Sequence, residues 1–122
     1  PSSALIITES VYTGDHVASL LQNTGCITQI VHNHQHASDL IQRAEIDTII
    51  IDIDAPKLHG LSCIFWCKEL RPSLAIYAIC CGGNSKAMQI ARNLGCRGYF
   101  YLRQGDVLIS TRHGMARDLT LI

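Results

Sequence analysis

Asp52 closes an unbroken apolar run, Ile49-Ile50-Ile51, and is followed by Asp54, Pro56 and Gly60. A carboxylate carried by an apolar strand to the rim of a sheet, ahead of a proline turn and a helix-starting glycine, is more than packing requires. Such a group can act as a nucleophile, ligate a hard cation, or simply cap a neighbouring loop. A second acid, Glu9, follows the apolar run Ala4 to Ile7 and reads as an acid at the rim of the same site.

Other residues of chemical interest are weaker signals. His32, His34 and His36 lie close together, yet they share one side only if the chain stays extended, and no Cys or carboxylate completes a zinc-like spacing nearby. A polar loop leading into a helix accounts for them as well. Six cysteines are present: Cys26, Cys63, Cys67, Cys80, Cys81 and Cys96. Cys63 and Cys67 are one helical turn apart and Cys80 and Cys81 are adjacent, so neither pair has C-x-x-C spacing. Most lie inside apolar runs, and reduced, buried thiols are the default. A redox switch at Cys80 or Cys81 is the sharper alternative. Gly82-Gly83-Asn84 before a helical segment has the look of an anion-cradling turn, but two glycines alone say little.

These residues need elements to position them. Apolar runs at Ala4 to Ile7, Ile27 to Val31, Thr48 to Ile53, Leu74 to Ile79 and Gly98 to Leu102 read as strands. The central ones are apolar throughout, the pattern of parallel strands covered on both faces. Between them, helical spacing runs through Val17, Leu20 and Leu21; Ala37, Leu40, Ile41 and Ala44; Leu61, Ile64 and Phe65; and Ala87, Ile90, Ala91 and Leu94. Gly25 and Gly95 fall where left-handed C-terminal caps belong, and Asn84 or Ser85 can open the fourth helix. A fifth helix is expected from Asp106 to about Leu119, although Gly114 interrupts it. Five β-then-α units predict an α/β fold: a flavodoxin-like, doubly wound (βα)5 domain with a five-stranded parallel sheet of order 2-1-3-4-5. Ligands of such sheets sit beyond the carboxyl ends of the strands, beside the first and third.

Composition narrows the function classes. With 122 residues and 48% hydrophobic content, the chain suits one domain, residues 1–122, and not two. Ten Lys+Arg balance ten Asp+Glu, which argues against direct nucleic-acid or anionic-membrane binding. The 16% charged content is light and suggests that part of the surface is covered by another chain or domain. No membrane span or secretory signal is visible, so a cytoplasmic location is expected. The start at Pro1 and the end at Ile122 suggest that an output domain lies outside this chain.

The run Asp52-Ile53-Asp54-Ala55-Pro56-Lys57-Leu58-His59-Gly60 fits D-x-x-x-P-x-x-x-G, and here the chain resembles a response-regulator receiver domain. The likeness covers nearly the whole chain and includes Leu94-Gly95-Cys96-Arg97-Gly98-Tyr99, similar to that family's LGAxGY. The resemblance implies that Asp52 is a phosphoacceptor, attacking the phosphohistidine of a sensor histidine kinase. It also implies Mg²⁺ as cofactor, held by Glu9, Asp52 and the backbone carbonyl of Asp54, with Tyr99 as the switch aromatic. Beyond its own phosphorylation and dephosphorylation no enzymatic activity is expected. A homodimer through the fourth helix, fifth strand and fifth helix, and a covalently attached output module, of which a DNA-binding transcription regulator is the leading case, follow from the same likeness.

Three positions depart from the family's pattern. Thr8 stands where one of two acids is expected. Cys80 takes the Ser/Thr place at the end of the fourth strand, and a thiol is a weaker donor than a hydroxyl. Leu102 takes the lysine place, which Arg103 can fill only if the strand end shifts by one residue; Gln104 follows where a proline is expected. Asp54 either faces solvent or sits at the mouth of the site, where it would repel a phosphoryl group. Slow, weak or absent phosphorylation is therefore expected. The alternative reading is a phosphorylation-independent pseudo-receiver used for dimerisation or docking. A flavin or redox protein of flavodoxin type is a third, for which Ser10-Val11-Tyr12-Thr13-Gly14 is only a thin phosphate loop.

Overall fold

A computed structural model describes residues 3–43, 45–54, 59–80, 85–103, 106–111 and 114–116. The apolar runs become strands β1 (Ser3–Ile7), β2 (Ile27–Val31), β3 (Thr48–Asp52), β4 (Ala75–Cys80) and β5 (Gly98–Arg103). The segments of helical spacing become α1 (Val11–Gln22), α2 (His34–Arg43), α3 (Gly60–Leu70) and α4 (Ser85–Asn93). The five strands are parallel in the order β2-β1-β3-β4-β5, the flavodoxin-like order expected from their spacing. All five residues of β3 are buried, as a central strand covered on both faces should be.

Local chemistry explains where the helices begin and end. Ser10, in extended conformation, caps α1 through its hydroxyl, which accepts from the Thr13 N–H at 3.1 Å. The thin phosphate-loop segment is thus the cap and first turn of a helix. Gly25 and Gly95 have φ of 85° and 111° and end α1 and α4. At each, the next residue's N–H reaches back five positions, Cys26 to the Leu21 carbonyl and Cys96 to that of Ala91, which satisfies the last-turn carbonyls.

The fifth unit departs from expectation. Where a helix is expected over Asp106 to about Leu119, the described residues form β6 (Asp106–Thr111) and β7 (Gly114–Ala116), both antiparallel, which bring the described sheet to seven strands; residues 112–113 and 117–119 lie outside the described residues. The reason is visible in Val107-Leu108-Ile109-Ser110-Thr111, a contiguous run rich in β-branched residues that pairs along the whole of β5, with Arg103 opposite Asp106 and Gly98 opposite Thr111. The parallel five-stranded core is unaffected, but the (βα)5 count becomes five strands and four helices followed by an antiparallel pair.

Two cores lie on opposite faces of the sheet. One joins Leu5, Ile7, Ile49, Ile51, Cys63, Ile64, Cys67, Ala78, Cys80 and Tyr99 under α2, α3 and α4. The other joins Ala4, Ile6, Val17, Leu21, Ile50, Tyr77, Ile79 and Phe100 on the α1 side. No described helix is long and apolar enough to cross a membrane.

Candidate functional site

The site begins with a register. Ile7 of β1 pairs with Val31 of β2 on one side and with Ile51 of β3 on the other, so the next residues, Thr8, His32 and Asp52, emerge together at the carboxyl end of the sheet. Thr8 is fully buried and Asp52 is 5% exposed. The Thr8 hydroxyl donates to Asp52 Oδ2 at 2.9 Å. Asp52 Oδ1 accepts from the Asp54 N–H at 3.0 Å, so the carboxylate also caps its own turn. Ser10 N–H donates to Thr8 Oγ1 at 3.1 Å, and His32 Nδ1 meets the Thr8 carbonyl oxygen at 2.6 Å. The carboxylate is therefore fixed by chain donors on both oxygens, as burial demands.

The segment after Asp52 is held close. A Cβ on Gly60 would stand 2.5 Å from the Asp52 carbonyl oxygen and 2.8 Å from Ile53 Cα, so only glycine lets α3 start against the backbone of Asp52. His59, just before it, has φ of 48° and caps α3 without a side-chain bond.

The other predicted residues fall into place unevenly. Glu9 and Asp54 are half-buried, Glu9 in the bend after β1 and Asp54 two residues past Asp52. Cys80 ends β4, 2% exposed, its side chain in the core under α3 and α4. Asp52 pairs with Ile79, so Cys80 is one step further along that strand. Leu102, expected in the lysine place, packs against the α1-side core. Arg103 is the last residue of β5, and its side chain lies outside the described residues, as do Pro56, Cys81, Gly82, Gly83, Asn84 and Gln104. Tyr99 is turned inward, its hydroxyl donating to the Met88 carbonyl of α4 and its ring 5.8 Å from the Arg92 guanidinium. Burial pushes its phenol pKa up, and Arg92 pulls it back.

Among the described residues, His32, His34 and His36 do not form a metal cluster. His34 and His36 belong to α2, His34 lies edge-on to Trp66 at 6.0 Å, and only His32 reaches the site. Cys26, Cys63, Cys67, Cys80 and Cys96 are buried thiols. Burial pushes the Cys96 thiol up to about 12, and Cys67 is raised by its hydrogen bond with Cys63 and then by burial. Such thiols stay protonated and unreactive. A shallow groove lined by Asp15, Ser19, Gln22, Thr28 and Ile30 lies between α1 and β2 and contains none of the candidate residues.

Glu9, Asp52 and the Asp54 carbonyl are hard oxygen donors of the kind Mg²⁺ takes. As placed, they do not fit it. Only Glu9 and Asp52 bring carboxylates, because the second acid's place is held by Thr8, whose neutral hydroxyl is committed to Asp52 Oδ2 and the Ser10 N–H, and no buried side-chain nitrogen or oxygen among the described residues lacks a partner. No group of three His, Cys, Asp or Glu among them converges on a common point.

The site's signal in the sequence was the acid and its motif. The participation of His32 was missed, though its position directly after β2 marks it as a neighbour of whatever follows β1.

Comparison with known proteins agrees with this fold. The family described as response regulator receiver domain matches residues 4–101. The chain is 29% identical over 104 residues to the polar-differentiation response regulator DivK of Brucella anthropi, covering 81% of this chain and 82% of that protein. A response regulator from Thermotoga maritima superposes with a TM-score of 0.76 at 19% identity, covering 86% of this chain and 88% of its own. A Burkholderia pseudomallei response regulator, solved with a phosphorylated aspartic acid, calcium ion and citrate, gives 0.75 at 20% identity over 85% of this chain; the chain spans 61% of its length. NtrX from Brucella abortus gives 0.78 at 22% identity over 84% of this chain, which spans only 24% of NtrX.

Proposed function

The chain belongs to the response regulator receiver domain family, and we propose that it is the signal-receiving module of a two-component system in which Asp52 accepts a phosphoryl group from a histidine kinase. The observation that carries this reading is the placement of the Asp52 carboxylate at the carboxyl end of β3, turned to the tip of β1 and bonded there to Thr8. That is where an open α/β sheet presents its chemistry. In the transfer an Asp52 oxygen attacks the phosphorus of the donor phosphoimidazole. The O–P bond forms, the P–N bond breaks, and its electron pair stays on the kinase's imidazole nitrogen. Nothing is oxidised or reduced.

Receiver domains are signalling modules and not metabolic enzymes. The rest of the reading is regulatory: a cytoplasmic domain that passes its state to an attached output module, such as a DNA-binding transcription regulator, and dimerises through α4 and β5. The fifth helix once expected on that face is replaced by β6 and β7. With Leu102 in the lysine place and Cys80 buried in the core, the transfer loses fixed donors for the phosphoryl oxygens. Removing one such donor slows comparable reactions by about 100-fold or more.

A second reading, a docking receiver indifferent to phosphate, is favoured by the Thr8 hydroxyl already bound to Asp52. Incubation with acetyl phosphate and Mg²⁺, followed by intact-mass measurement alongside a competent receiver, separates the two. A slow single-phosphoryl adduct that vanishes in Asp52→Ala supports the acceptor reading. No adduct after the control has fully labelled supports the docking reading instead.

A further inference from the structure

Thr8 is bonded at every polar atom. Its N–H donates to the Val31 carbonyl at 3.1 Å and its carbonyl faces His32 Nδ1 at 2.6 Å. A carbonyl cannot donate, so Nδ1 carries the proton of that bond. The Thr8 hydroxyl oxygen accepts from the Ser10 N–H at 3.1 Å, which leaves its single proton for Asp52 Oδ2, 2.9 Å away. Three strand ends are tied into this one residue, because the register sets Val31, Ile7 and Ile51 side by side.

A buried carboxylate must be met by donors or by a cation. A hard cation would take the same Asp52 oxygens that Thr8 and Asp54 now occupy. The Thr8 hydroxyl supplies one of the contacts to Oδ2 that a cation would otherwise supply, and the fully buried Thr8 is anchored through β1, β2 and the cap of α1.

We propose that Thr8 is a positioning residue that takes a cation's place at this site: its hydroxyl orients the buried Asp52 carboxylate and makes the resting site independent of divalent ions. The inference rests on the acceptor reading only for one consequence, that phosphorylation must break the Thr8–Asp52 hydrogen bond. The clamp itself needs no phosphate chemistry. Thr8→Asp would replace the donor with a second acid beside Glu9 and Asp52 and complete a carboxylate set for a divalent ion.

Four chains test this: the native protein, Thr8→Ser, Thr8→Val and Thr8→Asp. Each is unfolded thermally with and without millimolar MgCl₂, and each is titrated with Mn²⁺ by calorimetry. Thr8→Ser, which keeps the hydroxyl but loses a buried methyl, should unfold somewhat below the native chain, and neither should be moved by Mg²⁺. Thr8→Val, which leaves Oδ2 without its donor, should unfold several degrees lower and gain little from the ion. Thr8→Asp should be destabilised without Mg²⁺, recover with it, and bind Mn²⁺ about tenfold or more tightly than the native chain.

A native chain that Mg²⁺ stabilises as strongly as it does Thr8→Asp would overturn the proposal. So would a Thr8→Val chain indistinguishable from the native one. If Thr8→Val does not fold, the comparison of native, Thr8→Ser and Thr8→Asp decides the matter alone. Absence of an acetyl phosphate adduct would remove the acceptor reading without touching these results, and Mg²⁺ stabilisation of the native chain would remove the clamp while leaving Asp52 as acceptor.

Discussion

Gly60 shows how tightly single residues govern this site. The nearest atoms to a Cβ there are backbone, the Asp52 carbonyl oxygen at 2.5 Å and Ile53 Cα at 2.8 Å, and backbone cannot swing aside as a long side chain can. Gly60→Ala should therefore push the start of α3 away from Asp52 and lower stability by about 1–3 kcal/mol, read as a lower urea midpoint with an unchanged slope. The glycine was legible from its spacing to Asp52, and so were Cys80 and Leu102 as departures. The Thr8 bond was not. Sequence marks Thr8 as a missing acid, but whether its hydroxyl meets Asp52 depends on the pairing of Ile7 with Ile51, a long-range register that no local spacing encodes.

At the scale of elements, four helices and five strands were readable because their patterns are unambiguous: continuous apolar runs for buried parallel strands, and glycines at the ends of α1 and α4. The last segment failed because Val107, Leu108, Met115 and Ala116 fit helical spacing about as well as strand spacing, and the arbiter is the neighbouring strand. β5 presents an edge, and β6 pairs with it over six residues. Backbone NOEs between Gly98–Arg103 and Asp106–Thr111 should accordingly appear across the pair, Tyr101 with Leu108 and Tyr99 with Ser110 among them. Sequential i to i+3 contacts running from Asp106 onward would contradict the hairpin and restore the helix.

For the molecule as a whole, the buried thiols and phenols set an alkaline limit. Cys96 rises from its ordinary 9.0 to about 12 through burial, and Cys26, Cys67, Tyr77 and Tyr99 are raised as well. The folded state then holds protons that the unfolded chain releases, so stability is intact below about pH 9 and declines as pH climbs through about 12. Urea midpoints at pH about 8 and about 11 should differ in that direction, and Cys96→Ala should narrow the gap. Tyr99 has a mechanical consequence too. Its hydroxyl is anchored in the middle of α4 while its backbone is threaded between β4 and β6, with Tyr99 paired to Ala78 on one side and to Ser110 on the other. Helix and strand are thus yoked like a crank to its shaft: while the Tyr99–Met88 bond holds, α4 and the strand that flanks Cys80 cannot shift independently of one another.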